Sequence, residues 1–85
     1  MSKKSQMTKN IKLSNDLSRY IVNNPQVLVG LPSNASVVAF SKDDESLNKA
    51  NNTIIKSLLN EGTVVVKAQE TNKDKNPWEF TPVSL

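Results

Sequence analysis

The sequence contains no cysteine and no histidine, and only one arginine, one tryptophan and two glycines. Each scarcity removes a class of chemistry. Without cysteine there is no disulfide framework, thiol nucleophile or thiolate metal site. Without histidine there is no Ser-His-Asp triad and no side chain that ordinarily titrates near neutral pH. General acid–base catalysis is therefore disfavoured, and the chain reads as a non-enzyme that needs no cofactor and no metal. Gly30 and Gly62 lie far apart and make no glycine-rich phosphate loop. No apolar run approaches the roughly 20 residues of a membrane span. The lysine-bearing N-terminus lacks the apolar segment of a signal peptide. A cytoplasmic protein without membrane contact is the expectation.

What remains is a chain of 85 residues, 36% hydrophobic and 5% aromatic. That length suits one domain. A domain so small buries a modest share of its surface, so its stability is marginal. A second copy is the natural source of further burial, and a homodimer is expected. The net charge of +3 is unevenly placed. Residues 1–12 carry Lys3, Lys4, Lys9 and Lys12 and no acid, whereas residues 13–85 carry seven basic and eight acidic side chains. Residues 1–12 lack apolar periodicity and read as a disordered basic arm. Residues 13–85 read as a single small α/β domain, with 69–85 as a loop and docked tail.

Within that domain Ser14 is a suitable helix N-cap, with Asp16 in the first turn where the helix dipole favours an acid. Leu13, Leu17, Tyr20 and Ile21 recur at helical spacing, which predicts a helix from about Ser14 to Asn23 ended by Pro25. Pro25 to Val29 can form a short turn of helix closed by Gly30. The run from Ser36 to Phe40 suits a strand covered on both faces. Asp43 or Asp44 then caps a helix over about residues 45–60, with Gly62 at its C-terminal end. Thr63 to Ala68 is a second β-branched run. Strand, helix and strand make a βαβ unit with two parallel strands. Trp78, Phe80 and Val83 punctuate the tail as an added edge strand or a docked arm. Two strands alone are too few to be stable, so the tail or a second subunit must complete the sheet.

The order of several short blocks is familiar. Leu17-Ser18-Arg19-Tyr20-Ile21, Asn24-Pro25 and Leu31-Pro32 with Ala35 form one; Val37-Val38, Asp43-Asp44, Leu47 and Asn51 form the next; Glu61-Gly62 with Val64-Val65-Val66 closes it. Over about residues 13–67 the chain resembles a family of small prokaryotic α/β proteins known only as a domain of unknown function. The resemblance implies a fold and no activity. Members often place a proline soon after the paired aspartates, where this chain has Glu45-Ser46.

Candidate contact residues are few. Asp43, Asp44 and Glu45 form the acidic cluster beyond the first strand, where ligands of open parallel sheets bind. Acids at a helix start are also what capping requires. Arg19, the sole arginine, suits a carboxylate, whether on a ligand or partner or as an ion pair with Asp16 or the Asp43-Asp44 loop. Asn51 lies at the edge of a buried stripe and needs a hydrogen-bond partner from the backbone, a second subunit or a ligand. Trp78 and Phe80 suit anchoring of the tail, or stacking on single-stranded bases. The leading expectation is a non-enzymatic protein-interaction module acting as a homo-oligomer. One alternative is nucleic-acid association through Lys3, Lys4, Lys9 and Lys12. Another is a small-ligand or metal-binding domain using Asp43, Asp44 and Arg19.

Overall fold

The first helix, α1, spans Lys3–Asn23, eleven residues longer at its start than the apolar pattern predicts. The computed structural model that shows this describes residues 2–84. Ser2 is the N-cap, accepting a hydrogen bond from the Ser5 amide. The expected disordered arm over residues 1–12 is thus helical from Lys3, and Met1 lies outside the described residues. The signal was hidden because the first inward-facing positions are polar. Gln6 and Asn10 precede Leu13 and Leu17 at helical spacing, but hydrogen bonds hold them and burial of apolar surface does not. α1 stops before Pro25, and a 3-10 turn over Pro25–Leu28 follows.

Strand β1 covers Ser36–Phe40 and helix α2 covers Glu45–Asn60, both at the predicted bounds. Asp44 is the α2 N-cap, its carboxylate accepting from the Leu47 amide at 3.0 Å. At the other end Gly62 adopts φ +81. Its amide donates to the Leu59 carbonyl, and the Thr63 amide reaches back to Leu58. That is the Schellman arrangement. It consumes Thr63, so β2 runs over Val65–Glu70 and not from Thr63. β3 covers Trp78–Val83.

The sheet order is β1-β2-β3, with β1 parallel to β2 and β3 antiparallel to β2. The fold is α+β with a mixed sheet. The tail supplies the third strand to its own chain; Gln69 and Glu70, which read as loop, are strand because Gln69 pairs with Phe40 and Glu79 and Glu70 pairs with Trp78.

Side chains alternate across the sheet. Ala39 and Ala68 lie side by side on one face, where Leu13 and Leu17 of α1, Leu47 and Trp78 pack on them. The small alanines let the helix approach closely. Phe40 and Val65 occupy the opposite face with Ile55 of α2.

Candidate functional site

Three polar places stand out. The first is the junction of α1, α2 and β1, centred on Asn51, which is 1% exposed. Its amide nitrogen donates to Asn10 Oδ1 at 2.8 Å and to the Ala39 carbonyl at 3.1 Å. Its oxygen accepts from Asn10 Nδ2 at 3.0 Å and Gln6 Nε2 at 3.2 Å. Every hydrogen-bonding position of the amide is thereby used within the chain. Of the partners expected for Asn51, the structure supplies the backbone group; the side-chain amides of Gln6 and Asn10 were not among them.

The second is the loop after β1. Asn48 donates to the Ser41 carbonyl and accepts from the Ser41 amide, both at 2.7 Å. Ser41 Oγ donates to Asp43 Oδ1 at 2.9 Å and accepts from the amides of Asp43 and Asp44. A serine two residues before an acid favours this local turn. With Asn51 on the Ala39 carbonyl, Asn48 gives part of the edge strand the partners that a further strand would supply.

Beside this loop is a cleft of about 290 Å³, bordered by Lys9, Lys12 and Asp16 of α1, by Lys42, Asp43 and Asp44, and by Glu70 at the end of β2. Lys9 Nζ sits 3.0 Å from Asp44 Oδ2. The Leu47 amide, followed by Lys9, holds the Asp44 carboxyl below the ordinary carboxylate range. Asp44 therefore stays ionised near neutral pH and is no proton donor there. Glu70 accepts from the Lys42 amide. The acids of the loop are spent on separate neighbours, and no group of three or more acidic side chains among the described residues is placed to hold a metal ion.

Asp43 and Asp44 border the cleft, but Arg19 and Asn51 do not. The Arg19 side chain is 75% exposed and makes a loose 3.8 Å ion pair with Asp16. From the sequence, Lys9 and Lys12 read as part of a basic arm, Asp16 as a first-turn acid and Glu70 as loop; nothing joins them there, because three lie on α1 and one at the end of β2. The spacing of Lys9, Lys12 and Asp16 on one helix face is a signal only once the helix is known to begin at Lys3. Lys3, Lys4, Lys9 and Lys12 are all exposed.

Trp78 is buried beside Leu13, Leu17, Ala39, Leu47 and Ala68, with Phe80 half-buried against the same cluster. Both anchor the tail to its own chain, so Trp78 offers no stacking face.

The third place is apolar. Val37 and Val66 continue the sheet face that α1 covers further along. There the connecting segment curves past, leaving a groove of about 350 Å³ lined by Leu28, Leu31, Pro32, Ala35, Val37 and Val66. Ser33 is the remaining lining residue, so no ionisable side chain borders it.

No helix among the described residues is long and apolar enough to cross a membrane. The chain belongs to the family of unknown function DUF5647, which it matches over residues 5–76. The match contains the stretch 13–67 on which the resemblance rests and extends into the first half of α1. No curated protein and no solved structure matches the chain.

Proposed function

We propose that this member of DUF5647 is a small non-enzymatic interaction module whose partner is a second copy of itself. The observation that carries the reading is the apolar groove at the uncovered end of the sheet face. Leu28 and Val37 on its walls are 46% and 41% exposed, and neighbouring Val29 is 82% exposed. A groove without charge favours an apolar occupant over nucleic acid or a charged metabolite. A protruding valine next to a groove suits an isologous pair, in which each copy inserts the residue the other accommodates. A standard interface takes about 800 Å² from each partner, a modest share of the 5943 Å² this chain exposes. The small core gives such a pairing its thermodynamic purpose.

Sedimentation velocity across a concentration series tests this. The expected result is a dimer at micromolar concentration, shifted to monomer by Val29→Asp. Monomer throughout the series would overturn it, as would a dimer indifferent to Val29→Asp and Val37→Asp.

A further inference from the structure

We propose that α1 has two alternative starts, at Ser2 and at Ser14, and that residues 3–12 dock and release as one unit while the helix beyond Ser14 stays in place. The docked arm is held almost entirely by polar contacts. Gln6 and Asn10 bond to Asn51, and Lys9 pairs with Asp44 across a solvent-exposed gap. Its apolar side chains take no part in the core, since Met7 and Ile11 are 64% and 60% exposed. The first buried residue of the helix is Leu13.

Charge opposes the docked state. The first turn of α1 contains Lys3 and Lys4 and no acid, at the positive end of the helix dipole. Four lysines occur before the first acid, Asp16.

The alternative start is already written in the chain. Ser14 is a preferred N-cap, and Asp16 would then fall at the second helical position, where an acid is favoured. In the long helix Ser14 is an exposed mid-helix residue with no such role. Leu13, Leu17, Tyr20 and Ile21 keep their places on the sheet in either state.

The remainder tolerates release. Asn51 keeps the Ala39 carbonyl, and water can replace the two α1 amides. Asp44 keeps the Leu47 amide. Release removes Lys9 and Lys12 from the wall of the charged cleft and frees an arm bearing four ammonium groups. The device is thus a helix of two lengths, with the Asn10–Asn51 amide pair as its catch.

Amide hydrogen exchange by NMR on the full chain tests the proposal. Amides of residues 7–13 should exchange together, at least ten-fold faster than those of 19–23. Ser14→Ala removes the second cap and should slow exchange over 7–13 by about five-fold, the worth of an ordinary serine cap. Ser18→Ala gives the same gain in helix propensity at a position helical in both states, so it should leave that ratio unchanged. Replacing Gln6 and Asn10 together by alanine should speed exchange at 7–13 and spare 19–23. Uniform protection from 7 to 23, a smooth gradient from the N-terminus, or equal effects of Ser14→Ala and Ser18→Ala would each overturn the proposal.

Discussion

Asn51 shows how one buried amide can organise a small protein. A buried polar side chain left without partners costs about 1–3 kcal/mol. Here all its positions are filled, by Gln6, Asn10 and the Ala39 carbonyl. Asn51→Ala strands those partners and should lower stability by about 2 kcal/mol. A urea midpoint moved by less than about a quarter of that loss would contradict the role given to it. Asp44 acts through charge as well as capping. Its folded pKa lies below its unfolded one, so the stability it contributes is complete above the unfolded carboxylate pKa of about 4 and is lost as pH falls through the folded value. Asparagine is an equally good cap without the charge. Asp44→Asn should therefore flatten the fall of melting temperature below about pH 4, and an unaltered profile would show that neither the Leu47 amide nor Lys9 favours the ionised carboxylate in the folded chain.

At the scale of elements, the sheet is completed by an unusual division of labour. β2 is paired on both sides, β3 closes one edge, and asparagines of α2 satisfy part of the other. β3 is itself an exposed edge, and Pro82 together with Glu79, paired to Lys73 at 2.9 Å, discourages further strand addition. What fastens β3 is Trp78, only 6% exposed and buried in one cluster with residues from α1, β1, β2 and α2. Trp78→Ala should cost about 3–5 kcal/mol, as large core truncations do. For a domain of marginal stability that approaches complete unfolding, visible as loss of helical circular dichroism at 25 °C. A folded variant with a near-native melting temperature would mean that β3 is held by its ladder alone. α1 divides in the opposite sense: apolar burial fastens it from Leu13 onward, and amides fasten the part before.

For the molecule as a whole, the core consists of two small clusters on opposite sheet faces, joined through β1 and β2. Neither is large, which is why association matters to the reading of function. If the groove at Leu28, Val37 and Val66 is filled by a second copy, the melting temperature must rise with protein concentration. The same dependence should vanish in Val29→Asp. The charged cleft and the apolar groove involve opposite ends of the parallel strands, so a change at one need not disturb the other.

Much of this architecture was legible in the sequence because its signals are local. Pro25, Gly62, the acids before α2, the apolar stripe of that helix and the β-branched runs each act within a few residues, and the elements they predict are there. The absence of cysteine and histidine likewise narrows the chemistry without any structure. Tertiary structure alone decided the length of α1, because Gln6 and Asn10 are read as solvent-facing until Asn51, over forty residues away, is placed against them. It also decided the extent of β2, because Glu70 becomes strand only when the tail returns to pair with it, and Gln69 is paired on both sides by Phe40 and Glu79. The same holds for the charged cleft, assembled from one helix, one loop and one strand end. Hydrogen bonds between distant polar groups leave no periodic mark in a sequence, whereas burial of apolar faces does.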